Sequence, residues 1–236
     1  MRLCLHSYCD LRRTDMTIAE AVKVRHTIRA YSGKAIEGER LKKLQEMIRH
    51  ANEEGGLHFQ LINGQENALS PFRIRYGKWT GVTNYIAIVG PDTPNLEQKC
   101  GYYGEQIVLW AETAGLKTGW VETTCEQVPD SFSVEEGERF VMSLCIGESD
   151  KAGGPHKLKA VSQLSDVAGA MPEWFEKGME LAQLAPTAGN QQLFCIHYDG
   201  EKLFMTTEKG LLEGVDMGIA QYHFEVGSGI DHSRWD

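Results

Sequence analysis

The amino-acid sequence predicts an α+β fold, and three observations carry this prediction. Apolar residues recur at helical spacing in two long segments, 39–54 and 96–114, and glycine follows each of them. Short apolar or alternating runs of strand length lie between and after these segments, and two of them flank Asp199-Gly200 in the manner of a hairpin. Helices and strands do not alternate regularly, which favours α+β over a doubly wound parallel sheet.

Each predicted element has its own start or stop signal. Thr17 and Glu20 form a capping box that opens a short helix ending near Arg25. Pro172 suits the first turn of a later helix, which must end before Pro186. The remaining pattern predicts the helix 39–54, strands at 57–61 and 85–89, the core helix 96–114, strands at 119–122 and 140–146, hairpin strands at 194–198 and 202–207, and a last helix at 211–226.

Composition and charge exclude some functions. The 236 residues are 42% hydrophobic and 24% charged, an ordinary globular composition with room for one large or two small domains. A formal net charge of -9 argues against a nucleic-acid partner, because affinity for nucleic acids comes mainly from Lys and Arg. No run reaches the roughly 18 apolar residues of a membrane span, so no membrane partner is expected.

The cysteines, the histidines and the N-terminus predict a cytoplasmic protein without a metal centre. The six cysteines form no Cys-x-x-Cys pair, and four lie in apolar surroundings typical of buried, reduced thiols. The eight histidines form no His-x-x-x-His or His-Glu-x-x-His pattern, so no metal ligand is predicted. The opening residues lack the apolar run of a secretory signal, and 1–15 are interpreted as an N-terminal extension with Met16 as an alternative start.

The sequence contains a weak internal repeat. The order helix, glycine-containing turn, strand occurs in residues 40–90 and again in 173–207. A second similarity links residues 101–112 to 215–226. Two interpretations stay open: convergent helix-turn-strand composition, or two half-domains fused into a pseudo-symmetric whole.

The first segment that points to chemistry is 24–31, where Arg25 and Arg29 bracket Thr27. In an extended segment these three side chains project to the same side and converge on one anion. A guanidinium donates two parallel charge-assisted hydrogen bonds, which suits a phosphate dianion. The segment by itself also fits an ordinary solvated turn.

Lys157 and Lys159 form a second basic pair, after the strand at 140–146 and a loop that contains glycine and proline. Strand-like alternation points both ammonium groups to one side, which favours an anion site. The alternative is a pair of surface lysines that only favour solubility.

The third segment is a turn at 185–192, between a predicted helix and a predicted strand. Thr187 and Asn190 offer hydrogen-bonding groups, and the small residues Ala188 and Gly189 let the backbone approach a flat ring closely. The simpler alternative is a helix stop followed by a turn.

Together these segments resemble the nitroreductase family. Residues 25–31 resemble its Arg-x-Ser-x-Arg/Lys-x-Phe signature, and residues 185–192 resemble its Ala-Pro-Ser-x-x-Asn-x-Gln-Pro turn. Residues 101–120 are similar to its central helix and Gly-Leu-Gly-x-x-Trp ending, and 139–147 with the two lysines are similar to its late strand and basic pair. The resemblance implies a nitroreductase-like fold, with a central, mostly antiparallel sheet flanked by helices, and FMN as the cofactor.

One departure from the family pattern concerns the position of the turn. In ordinary nitroreductases the turn comes early in the chain, and each flavin lies between two subunits. Here the early position, 51–56, lacks the proline and the hydroxyl and carries Glu53 and Glu54. The chain therefore resembles single-chain nitroreductases, in which half-domains, here 16–150 and 151–236, form one compact monomer that mimics the dimer, with further association possible. One flavin site is expected, because carboxylates at the mirror site repel an anionic flavin.

The resemblance implies a role for each candidate residue, and none of them is expected to act as a nucleophile or metal ligand. Arg25, His26, Thr27 and Arg29 would contact the flavin phosphate and ring edge, and Lys157 and Lys159 would complete the phosphate clamp. Pro186, Thr187, Ala188, Gly189 and Asn190 would lie at the isoalloxazine, with backbone near Glu122 and Thr123. Segment 73–78 would reach the pyrimidine edge, where Lys78 would stabilise the negative charge that develops on reduction.

The implied activity is that of an FMN-dependent NAD(P)H oxidoreductase. In ping-pong order, NAD(P)H reduces the flavin and an electron-poor acceptor, such as a nitroaromatic or a quinone, then takes the electrons. One alternative is a flavin-binding or flavin-processing protein without reductase turnover. Another is an interaction protein with a decayed site, against which the intact Arg25, Thr27, Arg29 and Asn190 argue.

Overall fold

The computed structural model of the chain describes residues 16–66, 68, 73–74, 78–124, 131–155, 157–167 and 169–236, with the backbone alone for 73–74 and 123–124. Over these residues, helices mixed with antiparallel strands confirm the α+β prediction. The elements in chain order are α1 (Ile18–Val24), α2 (Gly38–Gly55), β1 (Gln60–Ile62), β2 (Arg73–Ile74), β3 (Tyr85–Pro91), α3 (Leu96–Thr113), β4 (Lys117–Val121), β5 (Thr123–Thr124), β6 (Glu138–Gly147), α4 (Glu173–Ala182), β7 (Phe194–Tyr198), β8 (Leu203–Thr207) and α5 (Glu213–Ser228), with short 3₁₀ turns at Val161–Gln163, Ala188–Asn190 and His232–Arg234.

Helix α1 begins at the capping box predicted from Thr17 and Glu20. Thr17 Oγ1 accepts a hydrogen bond from the Glu20 amide at 3.2 Å, and the Glu20 carboxylate accepts one from the Thr17 amide at 2.8 Å. The helix ends at Val24, since Arg25 already has extended backbone angles of φ -66° and ψ 133°. The chain from Arg25 onward therefore leaves the helix as an extended segment.

Strands β3 and β6 form the centre of a four-stranded antiparallel sheet in the order β1-β3-β6-β4. The apolar run of β3 reflects a strand covered on both faces. Ile86 and Ile88 pack in the main core with residues of α2 and α3, whereas Tyr85, Ala87 and Val89 pack in a second core on the opposite face. The buried strand predicted at 85–89 and the antiparallel central sheet are both confirmed.

Helices α3 and α5 pack against each other more extensively than any other described pair of helices. Glycines make this approach close: a β-carbon at Gly218 would lie 1.9 Å from the Gln98 carbonyl oxygen, and one at Gly101 would lie 2.1 Å from the Val215 carbonyl oxygen. Both obstacles are backbone atoms, which cannot move aside as a side chain can. The contact joins a helix from the first half of the chain to the last helix.

Helix α4 and the β7–β8 hairpin complete the last part of the chain. Helix α4 starts directly after Pro172, as predicted, and packs on α5. In the hairpin turn, Asp199 Oδ1 accepts hydrogen bonds from the amides of Glu201 and Lys202, each at 2.9 Å, and Gly200 has a φ of 104°. The hairpin predicted around Asp199-Gly200 is confirmed.

The strand predicted at 57–61 is shorter and later than expected. The side chain of Asn52, near the end of α2, binds both backbone groups of Phe59: Nδ2 donates to the carbonyl at 3.0 Å and Oδ1 accepts from the amide at 2.7 Å. Regular strand pairing starts at Gln60, and the His58 amide, one residue before Phe59, already donates to the Val89 carbonyl of β3 at 2.9 Å.

Two predictions from composition can be compared with the described residues. Cys100 and Cys145 are buried free thiols and Cys195 is half-buried, while the other three cysteines lie outside the described residues. Burial raises the pKa of Cys100 to about 12 and also raises that of Cys145, so both thiols stay protonated. In the part of the chain that the structure describes, no helix has the length and apolarity needed to cross a bilayer.

Replacing Gly218 by alanine should destabilise the protein. The added methyl group would overlap the α3 backbone at Gln98 and Tyr102, and overpacking of this kind typically costs about 1–3 kcal/mol. We expect a lower midpoint in equilibrium urea unfolding with an unchanged m-value. Gly154→Ala is the matched control, because a β-carbon there would have no described atom from a non-adjacent residue within 4 Å. Equal midpoints for the two variants would contradict the close helix contact.

Candidate functional site

Two adjoining hollows lie between the extended segment after α1 and the turn before β7. The basic cleft, about 510 Å³, is lined by residues 25–27, 29, 154–155, 157–158, 183–187 and 189–190. The apolar cavity, about 630 Å³, is lined by residues 27, 29, 79, 120–122, 142, 186–189, 191, 211–212, 215–216 and 219. The two hollows share Thr27, Arg29, Pro186, Thr187 and Gly189.

Backbone pairing positions the arginine segment along one side of the site. The Ile28 amide donates to the Thr118 carbonyl of β4 at 2.9 Å, next to a parallel bridge between Thr27 and Thr118. The Ile28 side chain is buried in the protein. Alternation then brings Arg25, Thr27 and Arg29 to the basic cleft.

The basic cleft carries an excess of positive charge. Arg25, Arg29 and Lys157 line it, and no carboxylate is among the described residues that do so. Burial and the nearby Arg25 lower the pKa of His26, so this ring is neutral at neutral pH. In a chain with a formal net charge of -9, a local set of cations without acids indicates an anion site.

A buried acid holds Arg25 from behind. Only 3% of Arg25 is exposed, and its Nε atom lies 3.9 Å from Glu105 Oε1 on α3. Glu105 also faces His223 Nε2 on α5 at 2.9 Å and accepts a hydrogen bond from Trp120 Nε1 at 3.0 Å. Burial lowers the pKa of Arg25, while Glu105 and Glu112 oppose that shift. The guanidinium is thus a fixed part of the site, which excludes the solvated-turn interpretation for Arg25.

The turn before β7 is held by the carboxyl group of Asp216. The Ala188 amide lies 3.0 Å from each of the two Asp216 carboxyl oxygens. Gly189 and Asn190 then take positive φ angles of 58° and 55°, which turn the chain sharply at the boundary between cleft and cavity. Ala188 lines the cavity, Asn190 lines the cleft, and Gly189 lines both.

Gln192 connects this turn to the lysine segment. Its side chain accepts a hydrogen bond from the Lys159 amide and donates one to the Lys157 carbonyl, each at 2.9 Å. The Lys159 ammonium donates to the Gln192 backbone carbonyl at 2.8 Å, and Asn190 Nδ2 donates to the Lys157 carbonyl at 2.9 Å. The expected alternation is wrong here, because 157–159 form no strand. Lys157 lines the cleft, whereas Lys159 does not.

Two tryptophans form walls of the apolar cavity. The Arg29 guanidinium carbon lies 5.7 Å from the ring centroid of Trp79, a cation–π distance. Trp120 packs over Gly104, where a β-carbon would lie 2.3 Å from the indole. Sequence reasoning chose Lys78 for this region, but Lys78 is exposed and lines neither hollow. The sequence contained one signal for this wall of the cavity: Trp79, the aromatic residue that follows Lys78.

Glu122 and Thr123 follow β4. Glu122 lines the cavity; its position at a flavin ring stays a prediction. Thr123 pairs with Ile74 through the backbone of β5 and β2, and its side chain lies outside the described residues. Most of segment 73–78, residues 75–77 included, also lies outside them.

Asp216 is a site residue that sequence reasoning missed. It lies in the first turn of α5, lines the apolar cavity and is 7% exposed. Burial raises the pKa of Asp216 to about 7; the Ala188 amide opposes this shift and the nearby Glu213 adds to it. Acidic residues are common in the first turn of a helix, so the sequence position of Asp216 does not mark it as a site residue. Only its contact with the Ala188 amide, in the turn before β7, reveals its place in the site.

The position predicted to mirror the turn, residues 51–56, is helical as far as Gly55. Residues 51–55 form the end of α2, and Gly56 ends it with a φ of 61°. Glu53 pairs with Arg49 at 2.8 Å, and Glu54 is exposed. A counterpart of the Ala188–Asn190 turn is therefore not formed at 51–56.

Among the described residues, one cluster of side chains that could ligate a metal lies away from both hollows. Potential ligand atoms of Asp166, Cys195 and His197 lie within 4.8 Å of one another. His197 Nδ1 faces Asp166 at 2.9 Å and its Nε2 faces Thr206 Oγ1 at 2.7 Å, so protein groups already engage both ring nitrogens. The absence of a metal centre stays a prediction.

Comparison with known proteins gives the family. The chain matches the family model described as "Putative TM nitroreductase" over residues 17–228. A protein from Thermotoga maritima, whose structure was solved as a putative nitroreductase, is 22% identical; the match covers 90% of this chain and 83% of that one, with a TM-score of 0.58. No curated protein matches the chain significantly.

Two further structures share the fold at lower identity. CLA-ER, an enone reductase of gut-bacterial fatty-acid saturation metabolism, is 13% identical over 66% of this chain and 100% of its own, with a TM-score of 0.52. A protein from Parabacteroides distasonis, whose structure was solved as a putative NADH dehydrogenase/NAD(P)H nitroreductase, is 16% identical. The match covers 65% of this chain and 98% of that one, with a TM-score of 0.51. The family model spans nearly the whole described chain, and this protein belongs to the nitroreductase family.

Proposed function

We propose that the protein is an FMN-dependent NAD(P)H oxidoreductase that reduces a small, electron-poor molecule. The observation that carries the proposal is the junction of a basic cleft with an apolar, aromatic-walled cavity along shared residues. A ligand with a phosphate dianion at one end and a flat ring system at the other fits this pair: the phosphate suits the basic cleft, and the ring suits the apolar cavity. Membership of the nitroreductase family supports the same assignment.

The residues of the cleft fit the flavin phosphate. Arg25, Arg29 and Lys157 supply positive charge, Thr27 supplies a hydroxyl, and no described lining residue supplies a repelling carboxylate. Arg25 is almost fully buried and lies beside Glu105, so its guanidinium is fixed at the wall of the cleft before a ligand binds. Under this proposal Lys159 holds the turn through Gln192 instead of contacting the phosphate.

The residues of the cavity fit the ring. Its volume of about 630 Å³ suits a planar ring with a second small molecule beside it, and Trp79 and Trp120 offer aromatic walls. Ala188 and Gly189 allow close backbone approach, since neither has a side chain beyond a methyl group. When bound, FMN supplies the hydride chemistry between NAD(P)H and the acceptor. The chain's own residues bind the phosphate, orient the ring and exclude water.

The arginine segment and the turn come from the same chain. Residues 25–29 belong to the proposed half-domain 16–150, and residues 186–190 belong to the proposed half-domain 151–236. The packing of α3 on α5 supports two fused halves that meet at this pair of helices. We therefore assign one FMN to each chain, a monomer that mimics a family dimer, and no flavin at 51–56.

The acceptor class that we propose is nitroaromatic or quinone-like, and NADH and NADPH are both candidate reductants. Two proteins that share the fold are named an enone reductase and an NAD(P)H nitroreductase, and both names are of redox enzymes. The buried, protonated thiols of Cys100 and Cys145 are in keeping with a cytoplasmic location.

The protein should bind one FMN per chain, and NADPH or NADH should bleach that flavin under anaerobic conditions. The measurements are absorbance of the protein after saturation with FMN and desalting, followed by reductant titration. A protein that stays colourless after addition of FMN would overturn the proposal. Bound FMN that neither reductant bleaches would favour a flavin-binding or flavin-processing protein, and two FMN per chain would contradict the single site.

Lys157→Gln should weaken FMN binding at least about 10-fold, because a hydrogen bond to a charged group contributes roughly 1.5–3 kcal/mol. Its effect on riboflavin, which lacks the phosphate, should be small. Dissociation constants from flavin fluorescence quenching measure both ligands. Arg49→Gln, an exposed cation on α2 paired with Glu53, is the matched control and should leave both constants unchanged. An equal loss for FMN and riboflavin in Lys157→Gln would place the phosphate elsewhere.

A further inference from the structure

Asp216 is a carboxyl group inside an otherwise mainly apolar cavity. Met142, Val215 and Ile219 are among the residues that line the cavity with it. One backbone amide, that of Ala188, lies 3.0 Å from both carboxyl oxygens, and the described residues offer the carboxyl no second donor. A single N–H satisfies one carboxyl oxygen, so the other is available to carry a proton toward the cavity.

The charged groups around Asp216 favour that proton. Glu213 lies on the same helix, Glu97 of α3 packs against the first turn of α5, and Glu122 lines the same cavity. Arg29 is the cation that lines the cavity. Burial is the largest cause that raises the pKa of Asp216, to about 7, and Glu213 adds to it. A substantial fraction of Asp216 is therefore a neutral acid at neutral pH, and this fraction falls as the pH rises.

A buried neutral acid can supply a proton, and an acceptor that must be protonated on carbon depends on such a donor most. Reduction of a carbon–carbon double bond conjugated to a carbonyl places a hydride on one carbon and requires a proton on the adjacent carbon. Apolar walls keep bulk water away from that carbon, so a side chain must supply the proton. An acceptor that takes electrons alone has no such requirement.

Building on the proposed function, we propose that Asp216 is the proton donor for reduction of an α,β-unsaturated carbonyl compound bound in the apolar cavity. The carbon–carbon π bond breaks, and the β-carbon gains a hydride whose two electrons come from NAD(P)H. The α-carbon takes the proton from the Asp216 carboxyl, whose O–H bond breaks. The Ala188 amide stabilises the carboxylate that remains, and solvent returns the proton after product release.

The protonation state of Asp216 can be measured in the protein without bound cofactor. Infrared spectra of the cofactor-free protein should show a carboxylic-acid band at pH 6 that weakens by pH 8, and Asp216→Asn should remove this band. Glu180→Gln, which changes an exposed acid on α4, should retain it. A wild-type protein whose band does not change between these pH values, or an Asp216→Asn variant that keeps the change, would overturn the proposal.

The role of Asp216 can be measured by comparing two acceptors after NADPH reduction: cinnamaldehyde, which needs a proton on carbon, and ferricyanide, which does not. Asp216→Asn should lower the ratio of the cinnamaldehyde rate to the ferricyanide rate by about 10²-fold or more, the range of general acid catalysis. In the wild type the same ratio should fall as the pH rises through 7. Asp216→Glu, which keeps an acid, should retain more of the ratio than Asp216→Asn.

The outcomes separate this inference from the proposed function. Failure of the wild type to bind FMN or to accept electrons from NAD(P)H overturns the proposed function and this inference with it. A wild type that passes both tests but does not reduce cinnamaldehyde, or whose ratio is independent of pH and of Asp216→Asn, overturns this inference alone. Circular dichroism and FMN affinity of each variant show whether it has folded, and the wild-type pH profile decides the question if a variant has not.

Discussion

The close approach of α3 and α5 is the constraint on which the rest of the site depends. It requires glycine at Gly101 and Gly218, because backbone carbonyls of the partner helix occupy the space of any side chain. Helix α3 carries Glu105 behind the arginine segment, and α5 carries His223 against Glu105 and Asp216 under the turn. The spacing of one helix pair thus sets the positions of both sides of the cleft.

The charges of the site are separated along its length. At the basic cleft, Arg25 is buried and has Glu105 behind it, while Lys157 is exposed at the rim. At the apolar cavity, Asp216 is buried without a cation at hydrogen-bond distance among the described residues, so its proton is retained more easily than in water. Arg29 lies between the two, over the ring of Trp79. A ligand with an anionic end and an uncharged flat end matches this distribution of charge. Neither hollow by itself would select such a ligand.

Local signals in the sequence predicted much of the fold, and long-range contacts account for what they missed. The capping box at Thr17 and the hairpin at Asp199 involve residues a few positions apart, so their patterns are readable directly. Lys159 was misplaced because Gln192, distant in sequence, takes its ammonium and its amide. Asp216 was missed for a similar reason, since its partner amide lies in another element. The candidate segments of the site were visible in the sequence, but the groups that hold them in place were not.

A site built within one chain has consequences that a site between two identical chains cannot have. If residues 25–29 and 186–190 lay on separate subunits, the cleft would form only at concentrations that sustain the dimer; within one chain, folding alone brings them together. Identical subunits also create every site twice, so neither copy of the turn can change independently. In the proposed fusion of two half-domains, that restriction no longer applies. Helix α2 continues through 51–55, where Glu53 pairs with Arg49, whereas the turn before β7 has the positive φ angles at Gly189 and Asn190 on which the proposed site depends.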